Sequence, residues 1–182
     1  MRPFSPRNYQ KRCIRFVLKK GVAGLFLDPG LGKTAIILAA LRILRRQKLI
    51  KGVLVIAPLR PCYFVWPAEA EKWDDFHDLK VAVLHGPRKE AALRSTADVY
   101  VINPEGLSWL ALALSAQNWK GDWPFDMLVV DESTKFKRST TQRFKLLKLM
   151  LARFRRRYIL TGTPVPNGLL DLFGQIYLLD LG

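Results

Sequence analysis

The stretch LFLDPGLGKT, Leu25 to Thr34, decides how the rest of the chain is read. Its apolar start reads as a strand that breaks at Pro29-Gly30 into a glycine-bearing turn, and Lys33-Thr34 then open a helix predicted from Ala35 to about Arg46. Strand, glycine loop, Lys-Thr and helix in that order have the form of a phosphate-binding loop. Gly30 and Gly32, with Leu31 between them, let backbone N–H groups approach phosphate oxygens, and the positive end of the following helix favours an anion. Lys33 is suited to sit as a point charge on the β- and γ-phosphates of a nucleotide, and the Thr34 hydroxyl to complete a Mg²⁺ shell. The stricter pattern carries a glycine five positions before Gly32, where this chain has Leu27. The loop therefore needs partners elsewhere in the chain.

Working outward, strands and helices alternate. An amphipathic helix is predicted to start at Ser5-Pro6 and to carry Tyr9, Cys13, Phe16 and Val17 at helical spacing, with Gln10 on it. The amide of Gln10 offers both a donor and an acceptor, the pair an adenine edge requires. Beyond the loop helix, Val53 to Ala57, Lys80 to Leu84, Asp98 to Ile102, Met127 to Val130 and Arg157 to Leu160 read as strands. Between them fall a helix bearing Trp66, Glu69 and Trp73 that runs to about Asp75 and a short one through Arg94. Further helices are expected over Leu107 to about Ala116, over Thr140 to Ala152, and over a last segment with Leu169, Leu172, Phe173 and Ile176. Uniformly apolar strands alternating with helices predict an α/β fold, a mostly parallel sheet with helices on both faces. Ligands in such folds gather beyond the carboxyl ends of the strands. DPGLGKT, APLRP, NPEG, DEST and TGTP all sit at those ends. With no repeat or linker, residues 1–182 are expected to form one domain.

Composition narrows the partners. Thirty Lys and Arg against fifteen Asp and Glu give +15, and the sequence pI is about 10.2. That balance favours a polyanion, and across the whole chain it favours nucleic acid. Single runs such as Arg153 to Arg157 are also what a solvated helix end looks like. Cys13 and Cys62 have no metal or redox spacing, and His77 and His85 stand alone as ordinary histidines. The longest apolar stretches, such as Trp109 to Leu114, are far short of the roughly 18–20 residues a membrane span requires. A soluble, intracellular protein in a reducing compartment is expected, with no membrane partner.

Two elements answer the loop's need. Asp131 and Glu132 close an apolar strand, where Asp131 is suited to hold Mg²⁺ opposite Thr34 and Glu132 to orient and deprotonate an attacking water. An acidic pair capping a following helix would look the same. LTGTPVPN, Leu160 to Asn167, places two hydroxyls at a strand end, within expected reach of Asp131-Glu132; a hydroxyl-rich turn before proline is the other reading.

Taken jointly, LDPGLGKT, DEST and LTGTPVPN resemble motifs I, II and III of a superfamily-two helicase-type ATPase. APLRP, followed by Trp66, Glu69 and Lys72-Trp73, resembles the Swi/Snf-like branch of DNA translocases. The resemblance covers the chain from Gln10 to the last helix, and implies a RecA-like fold, ATP and Mg²⁺ as cofactors and duplex DNA as the track. It implies that Gln10, flanked by Arg7 and Tyr9, reads adenine and that Gly30, Leu31, Gly32, Lys33 and Thr34 hold the phosphates. Asp131 and Glu132 become the metal-holding and water-activating pair, and Thr161, Gly162 and Thr163 the element coupling hydrolysis to DNA contact. Arg60 and the Asn103-Pro104-Glu105 corner fall where motifs Ia and Ib touch the DNA backbone. Asp28 and Pro29 stand where the family has Glu and Met, Ser133-Thr134 where a small residue and His are familiar, and Arg138 where many members have Asn. Members carry a second RecA-like domain, in cis or trans, that supplies arginine fingers. A basic nucleic-acid-binding module that keeps the ATP site without hydrolysing, and a small-molecule kinase, remain alternatives at this point. The kinase leaves TGTPVPN, APLRP and the net charge unexplained.

Overall fold

The computed structural model describes residues 2–115, 122–136, 141–164 and 170–181. Six strands run in parallel in the order β1-β6-β5-β2-β4-β3. They are β1 (Val22–Phe26), β2 (Val53–Ile56), β3 (Val81–Val83), β4 (Val99–Ile102), β5 (Met127–Asp131) and β6 (Arg156–Thr161). The helices are α1 (Asn8–Lys19), α2 (Lys33–Arg46), α3 (Leu59–Phe64), α4 (Trp66–Lys72), α5 (Lys89–Arg94), α6 (Leu107–Ala113), α7 (Gln142–Leu151) and α8 (Leu170–Asp180). This is the α/β arrangement, a parallel sheet with helices on both faces, expected from the alternation of elements.

The strand residues alternate between two cores. Val53, Val55, Val99, Val101, Met127 and Val129 pack under α1, α2 and α4. Leu54, Ile56, Tyr100, Ile102, Leu128 and Val130 pack under α6, α7 and α8. Both faces are covered, so β2 and β4 are buried at every position and their sequences are apolar without a break. Tyr158, wholly buried on β6, ties the first helix to the sheet: its hydroxyl lies 2.8 Å from both Val17 O and Lys20 O.

Several elements differ from the sequence-based expectation. The helix expected to begin after Pro61 is two helices. Pro61 lies in the first turn of α3, where a missing N–H breaks no bond, and the chain bends at Val65 before α4. Trp73 stands just past α4 in extended backbone and bridges to Arg2. Phe16 is exposed, because Ile14 and Val17 are the residues α1 buries. On α8 the buried residues include Gln175, Leu178 and Leu179, while Phe173 and Ile176 are exposed. Thr140, Leu169, Arg138, Asn167 and the first part of the turn-rich segment before Asp122 lie outside the described residues. No helix among the described residues is long and apolar enough to cross a membrane.

Candidate nucleotide site and strand-end surface

The register of three neighbouring strands brings the informative segments together. Phe26 on β1 pairs with Thr161 on β6, and Asp131 on β5 pairs with Leu160 on β6. Their carboxyl ends therefore release the glycine loop, the TGTP turn and the Asp-Glu pair side by side. A cleft of about 380 Å³ opens there. Pro29, Gly30, Gly32, Lys33 and Thr34 line one wall, and Asp131 and Glu132 lie within it. Pro61 and Val65 of α3 and its bend, with Glu69 and Lys72 of α4, form the facing wall. The sequence alone does not place those four residues beside the glycine loop, because α3 and α4 reach it only through the fold.

The loop is held in shape by its own backbone. Gly32, at φ +77°, is the N-cap of α2, a left-handed conformation that costs an L-residue about 1–2 kcal/mol. The Lys33 ammonium donates to Leu27 O at 2.6 Å and to Asp28 O at 3.2 Å, which curls the lysine over the loop. Leu27 N donates to Thr161 O at 3.2 Å. At Gly162 a side chain would meet Pro29 Cδ at 2.9 Å, so the TGTP turn lies directly against the phosphate loop.

Gln10 closes the other side. Its Nε2 donates to Leu31 O at 3.2 Å, and the Tyr9 hydroxyl donates to the same carbonyl at 3.1 Å. Its Oε1 accepts from Arg7 N at 2.9 Å, one bond of a capping arrangement at the start of α1. Arg7 itself is exposed. The α1 helix thus grips the loop at Leu31.

Asp131 is held at both oxygens. Oδ2 accepts from Trp66 Nε1 at 3.1 Å, and Oδ1 from Glu132 N at 3.1 Å. Burial pushes the Asp131 carboxyl above its ordinary range; the neighbouring Glu132 carboxylate adds to this, while the Trp66 hydrogen bond and Lys33 oppose it. Glu132 takes φ +53°, the left-handed region that is unusual outside glycine, as the strand gives way to a short 3₁₀ turn. The oxygen donors Thr34 and Asp131 line one cleft, and this set suits Mg²⁺, which is held through one or two carboxylates plus substrate phosphates. Among the described residues no group of three His, Cys, Asp or Glu forms a metal cluster of protein ligands alone.

The Thr161 hydroxyl, buried, accepts from Thr163 N at 3.1 Å within its own turn. What spans the two motifs is a bridge the sequence did not suggest. Ser133 Oγ donates to Gln175 Oε1 at 2.6 Å, and Gln175 Nε2 donates to Pro164 O at 2.7 Å. Both Ser133 and Gln175 are wholly buried.

Arg60 and Asn103 leave the ends of the adjacent strands β2 and β4. Arg60 is exposed; Asn103 is 5% exposed, and its Nδ2 donates to Glu105 at 2.8 Å. The amide is thus turned into its own corner. The cleft at this corner is also lined by exposed His85, whose Nδ1 lies 2.7 Å from the Tyr63 hydroxyl, and by half-buried Lys89, whose ammonium lies over the Trp109 ring. A larger cleft of about 490 Å³ lies at the far end of α2, among Arg42, Arg45, Arg46, Lys48 and Lys51. Its arginines are paired with Asp75, Asp78 and Asp98, and Lys51 with Asp122, so most of its positive charge is engaged in ion pairs, and no residue of the glycine loop lines it.

A glycine loop, an acidic pair and a hydroxyl turn at three adjoining strand ends define a phosphate-loop domain of the RecA-like class. The profile described as the SNF2-related domain matches residues 9–182, and the chain belongs to that family. It is 38% identical over 192 residues to "Putative protein p41" of Acyrthosiphon pisum secondary endosymbiont phage 1, covering all of this chain and 40% of that protein. It is 30% identical over 177 residues to the Bos taurus "DNA excision repair protein ERCC-6-like", covering 91% of this chain and 14% of that protein. Among solved structures, the Sulfolobus solfataricus SWI2/SNF2 ATPase core in complex with dsDNA aligns with a TM-score of 0.77 at 24% identity, over 98% of this chain and 36% of that one. The chain thus spans well under half the length of each.

Proposed function

We propose that this chain is the ATP-binding half of a motor that moves along duplex DNA when joined to a second RecA-like domain. The convergence of Lys33, Thr34, Asp131 and Glu132 on one cleft carries this reading. In it, Gln10 reads the adenine edge while Gly30, Leu31, Gly32 and Lys33 hold the phosphates. Thr34 and Asp131 hold Mg²⁺, which when bound neutralises phosphate charge. Glu132 accepts the proton of the attacking water. Thr161, Gly162 and Thr163, set against the loop through Gly162 at Pro29, pass the state of the cleft towards the DNA side. Arg60 and the Asn103 corner meet the DNA backbone. The net charge of +15 supports a polyanionic track. The Sulfolobus core, a separate protein, was solved in complex with dsDNA, which supports the same choice of partner here.

A second domain's arginine finger contributes about 10³–10⁵ in rate, so the isolated chain hydrolyses ATP very slowly. The test is Lys33→Ala, read by nucleotide binding and by duplex-DNA binding in parallel. Loss of nucleotide affinity with DNA binding retained is expected. Nucleotide affinity untouched by Lys33→Ala, or brisk DNA-stimulated turnover by this chain alone, would overturn the reading.

A further inference from the structure

Trp66 opens α4 and is wholly buried. An indole offers one donor and no acceptor, and a buried tryptophan usually spends that donor on a partner. Here the partner is Asp131 Oδ2 at 3.1 Å, on a strand reached only by the fold. The N–H of this contact is the part that a phenylalanine cannot supply. The other oxygen, Oδ1, accepts from Glu132 N. Two fixed donors, one on each oxygen, set the plane of the carboxylate. Each oxygen accepts two hydrogen bonds or ligands, so each keeps one direction open.

We propose that Trp66 is the positioning residue for Asp131, fixing the face that the carboxylate turns to a metal-bound nucleotide. The inference rests on the reading of Asp131 as the metal-holding carboxylate. Being buried, Trp66 acts through Asp131 and not on a ligand. Its neighbours make the arrangement more than local. Val65, immediately before Trp66, and Glu69, three residues after it, line the cleft wall. A shift of that wall carries the indole with it and re-aims the carboxylate.

The experiment is equilibrium binding of a fluorescent ADP analogue to this chain across a series of Mg²⁺ concentrations and in EDTA. Wild type is compared with Trp66→Phe. Partners behind a metal ligand typically account for about 10–100-fold in metal affinity. Trp66→Phe is therefore expected to raise the Mg²⁺ concentration at half effect by about 10–100-fold and to leave affinity in EDTA unchanged. In an Asp131→Ala background the same substitution adds nothing. A purely structural role for Trp66 would weaken binding equally with and without Mg²⁺, and that result overturns the proposal. Wild type that gains affinity with Mg²⁺ while Trp66→Phe leaves the midpoint intact overturns the Trp66 assignment alone. Wild type that binds no nucleotide overturns the site reading beneath it as well. If the phenylalanine variant does not fold, 3-benzothienylalanine at position 66 keeps the ring shape, removes only the N–H, and carries the same expectations.

Discussion

Gly30 and Gly32 both take positive φ, +82° and +77°, yet they differ in what surrounds them. A methyl group at Gly30 meets nothing within 4 Å, whereas at Gly32 it meets Gln10 Nε2 at 2.6 Å. Replacing either by alanine carries the left-handed backbone cost of about 1–2 kcal/mol. At about 2–4 °C per kcal/mol for a chain of this size, each should lower the unfolding midpoint by roughly 2–8 °C. Gly32→Ala must in addition push the Gln10 amide off Leu31 O. A lost hydrogen bond of that kind is worth about 0.5–1.5 kcal/mol, a further drop of roughly 1–6 °C. Thermal unfolding followed by circular dichroism gives both shifts, and Gln10→Ala in each background shows whether the excess passes through the amide. The excess is expected in the wild-type background and absent once Gln10 is alanine. Discrimination between adenine and guanine nucleotides should fall with it in Gly32→Ala. Equal shifts for the two glycines, or an excess that survives Gln10→Ala, would refute the idea that α1 grips the loop through this side chain.

Other outcomes follow from single contacts. Tyr158→Phe strips the hydroxyl shared by Val17 O and Lys20 O and should lower stability by about 1–3 kcal/mol in urea unfolding. Gln175→Leu leaves the Ser133 hydroxyl and Pro164 carbonyl without their bridge and should also lower stability by about 1–3 kcal/mol. Ser133→Ala should then add less in that background than alone, a coupling a double-mutant cycle detects. Cys62 predicts an alkaline slope. Its thiol ionises near 9.0 when unfolded, but burial keeps it protonated to about 12 in the fold. The folded state then holds more protons across that window, so stability is full below pH 9 and falls as pH rises through it. Cys62→Ala should flatten the decline in urea midpoint between mildly and strongly alkaline buffer.

The sequence made the sheet legible where both faces are covered, because β2, β4 and β5 are apolar at almost every residue and little else looks like that. The glycine loop was legible because phosphate binding constrains neighbours in the chain, so Gly32, Lys33 and Thr34 sit together. Contacts between distant residues were not legible. Nothing near Trp66 in the chain hints that its donor meets Asp131. Gln175 escapes notice for the same reason, since a polar residue on an apolar helix reads as a surface position until Ser133 and Pro164 are found beside it. Helical periodicity also misplaces the buried face of α1, where Phe16 has the right spacing by type but Ile14 takes the inward position. Proline obscures the α3–α4 bend, since Pro58 and Pro61 look like a turn when one of them is only a tolerated first-turn residue.

The strand order has a consequence in time. β1, which carries the phosphate loop, stands at one end of the sheet and pairs with β6 among the described residues. β6 is the last of the six strands to be synthesised, so on the ribosome β1 waits while nearly the whole domain is made. Loop closure over that separation is slow to be rewarded. β2, β4 and β3 find their neighbours within a shorter span, and a partly folded chain built on them would bury the middle of the sheet first. The strand earliest in the sequence is thus among the last to be locked. A nascent chain stalled before β6 would have no mature phosphate loop, and nucleotide could stabilise the fold only after the chain has passed Thr161.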